Sequence, residues 1–344
     1  MASADAVRAA GVALGVCLGM VVSLAATPSA RAATLTIVVN DGVNEGFNDT
    51  THADPVTGNP GTTRGQQRLN VFQAAAAVWG DALTSPVTIL VRAQFDVLTC
   101  NASSAVLGSA GPTTAHRDFS GAPISSTYYV QAVANSRSGV DLSAANPDIN
   151  ATFNVRLDDA DPNCLGGLTW WYGIGAAPQG GAIDLYTTVL HELGHGLGNL
   201  SLHNLGTGAK LNGFDDAYLR LLYDEVAGIA WPAMTNGQRV ASSINTGNLT
   251  WLGAAANSKA AAFGAGTTNG HLRLYAPNPV QSGSSVSHWD TALTPNELME
   301  PILTSNAEDY VTYSLMGDVG WVMSLLFKDG FESGNVHFWT DRVP

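Results

Sequence analysis

Residues 191–203 read His191-Glu192-Leu193-Gly194-His195-Gly196-Leu197-Gly198-Asn199-Leu200-Ser201-Leu202-His203, and few folds can accommodate such a segment. On a helix, positions four apart share one face about 6 Å apart along the axis, so the His191 and His195 imidazoles can converge on one cation. Zinc accepts that arrangement, with nitrogen bonds of about 2.0–2.1 Å and, in catalytic sites, three protein ligands and an open fourth position. Glu192 stands beside the first histidine, placed to take a proton from water in that position and return it to a leaving amine. The mostly apolar run before the motif, 182–190, suits the buried side of a helix entering it. Gly198 offers a stop, because glycine enters the left-handed conformation without a Cβ penalty.

A third ligand has four candidates: His116, His203, His271 and His288. If the helix continued, His203 would lie about 12 Å beyond His195, and if it stops at Gly198, His203 needs a special loop to return. His288 sits in Ser285-Val286-Ser287-His288-Trp289-Asp290, followed shortly by Glu297-Leu298-Met299-Glu300-Pro301.

These two blocks together resemble the leishmanolysin-like metzincins and their secreted bacterial relatives. In other metzincins a third histidine follows the glycine by three residues; here Ser201 stands there, a poor ligand beside imidazole. In the leishmanolysin-like branch an inserted region intervenes, and the later histidine has an H-W context followed by E-L-M. The matching residues are His191, Glu192, His195, Gly198, His288, Trp289, Glu297, Leu298 and Met299. Weaker likeness at Gly46-Phe47-Asn48-Asp49, Gly65-Gln66-Gln67-Arg68 and Gly317-Asp318-Val319-Gly320-Trp321 extends the resemblance over about residues 34–323. Asn199 departs from the pattern, where an apolar residue is usual. The resemblance implies that His191, His195 and His288 bind zinc, that Glu192 is the general base, and that Met299 forms a Met-turn beneath the ligands. It implies an α+β, two-lobed zinc peptidase with a mixed sheet and an active-site helix. The peptidase domain would span 33–325, with an upper lobe over about 33–198 and an intervening region over about 199–284. The third ligand and Met-turn would lie in the lower lobe, about 285–325.

The chain opens with the apolar run 9–26 and the small-x-small site Ala30-Arg31-Ala32, a signal-peptide pattern over 1–32. A secreted, extracellular or periplasmic protein is expected. Cleavage removes Cys17, and the remaining Cys100 and Cys164 most simply pair in an exported chain. With 15 basic and 28 acidic residues, net −13, charge will not hold the protein on nucleic acid or an anionic membrane. Protein or peptide substrates are the expected partners, with no stable membrane association after cleavage. Residues 326–344 read as a short tail without a catalytic part.

Along the chain, strands are expected at 35–39, 87–95 and 149–157, the last or its neighbour bordering the cleft. Helices are expected at 66–83, with Leu69, Phe72, Ala76 and Trp79 at helical spacing, at 128–136, and at 215–228 through Ala217, Leu221, Leu222 and Val226. Residues 158–163 read as a solvated acidic turn rather than a calcium loop. Trp170, Trp171 and Tyr172 read as packing, Tyr310 or Tyr313 as oxyanion candidates, and Asp290 as orienting an imidazole or capping a turn. The expected function is a secreted zinc endopeptidase. Two alternatives stand: a non-catalytic zinc-stabilised binding protein or adhesin on the same scaffold, and a local metal site with His203 as third ligand.

Overall fold

The computed structural model describes residues 31–302 and 310–324, a mixed α+β fold. Nearly all of the expected leader and the whole tail 326–344 lie outside the described residues. No helix among the described residues is long and apolar enough to cross a membrane.

Strand β1 (Leu35–Val39) leads through a turn-rich loop to helix α1 (Arg64–Ala82), which starts where the Thr63 side chain accepts the Gln66 N–H. Val71, Phe72, Ala75 and Trp79 of α1 are fully buried against a four-stranded sheet. Its order is β1, β2 (Ile89–Asp96), β5 (Ile149–Asn154), β3 (Gly108–Pro112). The first three run parallel and β3 pairs antiparallel with β5, so the sheet is mixed. Along β2, buried Ile89, Val91, Ala93 and Phe95 alternate with more exposed residues, as one core-facing side of a pleated strand requires. Phe47, Phe72, Phe95 and Phe153 meet edge to face across this layer, with ring centroids 4.7 Å (Phe47 to Phe72), 5.3 Å (Phe47 to Phe95) and 4.8 Å (Phe72 to Phe153) apart.

Three expectations are corrected. Residues 128–136 divide into strand β4 (Thr127–Val130) and helix α2 (Gln131–Ser138), because the run of Thr, Tyr, Tyr and Val favours the pleated state. The strand expected at 149–157 ends at Asn154; of the two expected edge strands, it lies inside the sheet and its neighbour β3 takes the edge. Residues 215–228 form no helix. Asp215–Asp216 pairs with β4, a 3-10 turn covers Leu219–Leu221, and β6 (Leu222–Asp224) runs between β7 (Ile229–Ala230) and β8 (Leu249–Trp251). The acidic side chains explain this: Asp216 accepts the Leu202 and Leu219 N–H groups, and Asp224 those of Val226 and Ala227, satisfying the backbone outside a helix.

Cys100 and Cys164 form a disulfide that ties the chain ahead of β3 to the turn after β5. The acidic stretch is held by ion pairs, buried Asp158 with buried Arg68 and Asp161 with Arg156. Trp170 is buried and donates to the Asn154 carbonyl at 2.9 Å, and Tyr172 donates to Asp158, so the expected packing role holds for both.

Candidate metal centre

Helix α3 (Leu185–Gly196) begins where the Asp184 carboxylate accepts the Tyr186 N–H at 3.0 Å and lies buried along most of its length. Two indoles anchor it. Trp79 of α1 donates to the Leu190 carbonyl at 3.0 Å, and Trp321 donates to the Leu197 carbonyl at 2.8 Å, satisfying a group that a helix end leaves open. The chain then turns at Gly198, whose φ of 125° suits glycine.

His191 and His195 project from one face of α3, and the loop 284–290 brings His288 to them. The three Nε2 atoms form a near-equilateral triangle, 3.2 Å between His191 and His195 and 3.1 Å from each to His288. Every Nδ1–H donates outward to a main-chain carbonyl: His191 to Leu298 at 2.7 Å, His195 to Asn199 at 2.9 Å, His288 to Ser284 at 2.8 Å. Those bonds fix the tautomer, so three Nε2 lone pairs face one another, an arrangement that repels unless a cation shares it. An ion bonded tetrahedrally at about 2.0–2.1 Å spaces its nitrogens about 3.3–3.4 Å apart, close to what is seen. Among the described residues these three histidines form the one group of three or more His, Cys, Asp or Glu side chains placed to hold a metal ion. Burial lowers their basicity, His191 to about 4 and, with His191 adjacent, His195 to about 3; His288 is held well below its ordinary value. All three are therefore neutral near pH 7, the state in which imidazole ligates.

No protein-family model, curated protein or solved structure matches this chain. The chemistry of the site rests on its own geometry.

Glu192 is buried, and that burial pushes its carboxyl up to about 7 against the opposing hydrogen bond from the Ala110 main chain. Ala110 lies on edge strand β3. The bonds from Asn154 to the Leu107 carbonyl and from Thr113 to the Asp148 carbonyl set the alternation, so odd-numbered residues of β3 bond to β5 and even-numbered ones point outward. The carboxyl thus sits against outward-facing backbone of the strand above it. Gly108 permits this approach, since a Cβ there would stand 3.0 Å from Glu192 Cγ.

Met299 is fully buried beneath α3, where a Cβ on Gly194 would stand 2.8 Å from its Sδ. Its carbonyl accepts the Trp289 N–H at 2.9 Å, joining this floor to the segment bearing His288. The other candidates lie elsewhere. His203 packs edge-on against Trp231 and bonds Ser201 Oγ at 2.9 Å, His116 contacts Thr114, and His271 pairs with Glu225 at 2.8 Å. The structure brings His288, not His203, to the pair. Asp290 caps the Ala292 N–H at 2.8 Å and lies 3.4 Å from Arg273 Nε, so it caps a turn and orients no imidazole. Tyr313 lies in helix α4 (Tyr310–Asp318) with its buried ring edge-on to Trp79 at 5.1 Å, a packing position.

Sequence reasoning missed Asn199, whose carbonyl holds His195, and the structural part of Glu297. The Glu297 carboxylate accepts from Val311 N and Thr312 Oγ1, each at 3.0 Å, capping the start of α4 from a distance. For Asn199 the signal was its departure from the resembled pattern.

Proposed function

We propose that this protein is a secreted zinc-dependent endopeptidase, a two-lobed hydrolase of the metzincin type with its Met-turn at Met299. The observation that carries the reading is the placement of a buried carboxyl, Glu192, one residue from the first of three inward-facing imidazoles and against the backbone of a strand at the sheet edge. The donor set favours zinc: three neutral imidazoles with hydrogen-bonded Nδ1 atoms suit an ion that takes nitrogen ligands in tetrahedral geometry.

When bound, zinc supplies a Lewis acid that polarises a scissile carbonyl and acidifies water. His191, His195 and His288 hold it and remain neutral. Glu192, with an affinity for protons near neutrality, takes one at its carboxylate and returns it to the departing amine. The outward backbone groups of Gly108 and the outward carbonyl of Ala110, whose N–H Glu192 holds, offer an extended peptide an edge of β3 to pair with, which favours a polypeptide substrate over a compact one. The disulfide and the signal-peptide pattern support export.

Replacing Glu192 by Gln tests this. The variant should retain zinc and lose at least about 100-fold in cleavage of a proteome-derived peptide mixture. A variant that binds zinc and cleaves as well as the unmutated protein overturns the role of Glu192. An unmutated protein that binds zinc and cleaves nothing in the mixture supports the non-catalytic binding protein instead.

A further inference from the structure

The loop leaving α3 joins both halves of the site through one residue that is itself no ligand. Asn199 is 1% exposed. Its N–H donates to the Gly194 carbonyl at 3.0 Å, and its carbonyl accepts from His195 Nδ1 at 2.9 Å, so its backbone fixes the end of the helix and one imidazole together. Its side chain reaches the other way. Nδ2 donates at 2.9 Å to the carbonyl of Ser287, the residue just before His288.

The His288 loop has little regular structure to hold it. Val286 takes a left-handed φ of 74°, and the His288 ring is bonded within its own loop, to Ser284. Its further bonds, with Tyr275, Met299, Arg273, Gln281 and Tyr218, tie it to its own side of the site. A longer contact, Ser201 N–H to Ser287 Oγ at 3.3 Å, runs parallel to the Asn199 bond. We infer that Asn199 is a positioning residue that sets the separation between His195 and His288 by latching the His288 loop to the end of α3. The inference rests on the proposed metal centre.

The other half of the same amide separates this role from a merely structural one. Asn199 Oδ1 is buried and meets no hydrogen-bond donor among the described residues. A buried acceptor left unsatisfied costs at least as much as one hydrogen bond contributes. The side chain is therefore close to neutral for folding, while its donor acts on ligand placement.

The test replaces Asn199 by Leu, which keeps a similar volume and removes the donor. Zinc affinity, read by competition with a chromogenic chelator, should fall about 10- to 100-fold, as for other residues that orient ligands. The visible absorption bands of the cobalt-substituted protein should shift, while the unfolding midpoint of the metal-free protein is unchanged or raised. In a His288→Ala background, which loses zinc on purification and whose weak residual binding by the two remaining imidazoles is read by direct titration at high zinc, the same substitution should cost no further affinity. An unchanged affinity and cobalt spectrum, or an equal loss in both backgrounds, overturns the inference. Should Asn199→Leu fail to fold, Asn199→Ala carries the same cycle. Failure of the unmutated protein to bind zinc or cobalt overturns the metal centre itself and this inference with it, whereas binding without coupling overturns the inference alone.

Discussion

Each imidazole of the centre is told which nitrogen to expose by a single carbonyl, from Leu298, Asn199 or Ser284. Burial then keeps the rings neutral, and this has a consequence for pH. In the metal-free protein the unfolded chain takes protons near 6.5, the folded site only near 4 at His191 and near 3 at His195. The folded values are depressed, so the stability these groups contribute is fully present above about pH 6.5 and is lost as pH falls toward 4. Glu192, Asp216 and Glu300, whose carboxyls burial raises to about 7, 6 and 7, oppose this by binding protons on folding over the same range, so the test is a difference. The midpoint of chelator-treated protein should lose ground to that of a chelator-treated His195→Gln variant from pH 7 to pH 4.5, and an unchanged difference would contradict a neutral, buried ring. The same depression predicts that bound metal is retained well below the pH at which a site of exposed histidines, titrating near 6.5, releases it. Equilibrium dialysis across that range measures it.

At the scale of elements, close backbone approach does much of the positioning. Gly65 near the start of α1 would bring a Cβ to 2.3 Å from the Phe47 carbonyl oxygen and 2.8 Å from that of Asp49. An exposed helix gains about 0.5–1 kcal/mol from Gly→Ala, but here the clash is with backbone, which cannot swing aside. Gly65→Ala should therefore destabilise the protein by about 1–3 kcal/mol in chemical denaturation; a stabilised variant would show that α1 packs otherwise. The same scale shows what a sequence makes legible. The 3.6-residue spacing of Leu69, Phe72, Ala76 and Trp79 marks α1 to within two residues, because a buried stripe has no other cause there. Ala217, Leu221, Leu222 and Val226 mimic that spacing, yet Asp216 and Asp224 capture the local N–H groups and Val226 is left 74% exposed. Periodicity does not register side-chain competition for the backbone. In the site, the spacing of His191 and His195 is readable because one helix turn fixes it. His288 lies 93 residues from His195, so spacing alone leaves four candidates, and only the resemblance singled it out before the fold brought it in. Asn199 was legible only as a departure from the resembled pattern, and the indoles of Trp79 and Trp321 not at all, since their roles are bonds made across the fold.

For the molecule as a whole, the Cys100–Cys164 disulfide closes a loop of 64 residues that contains both β3 and β5. Closing a loop of that length removes about 4 kcal/mol of unfolded-state entropy in the chain-entropy account. Cys100→Ser with Cys164→Ser should lower the unfolding midpoint by several degrees, and because the loop carries the edge strand over Glu192, cleavage should weaken with it. A midpoint unmoved by the double substitution would show that packing alone holds the edge.

The whole account depends on three histidines from two distant segments sharing one ion. Metal content per chain, measured by mass spectrometry on folded unmutated, His288→Ala and His203→Ala proteins, tests that directly. The account predicts one equivalent of zinc in the unmutated and His203→Ala proteins and its loss in His288→Ala. Zinc retained by His288→Ala and lost from His203→Ala would contradict it and return the site to the local loop after α3.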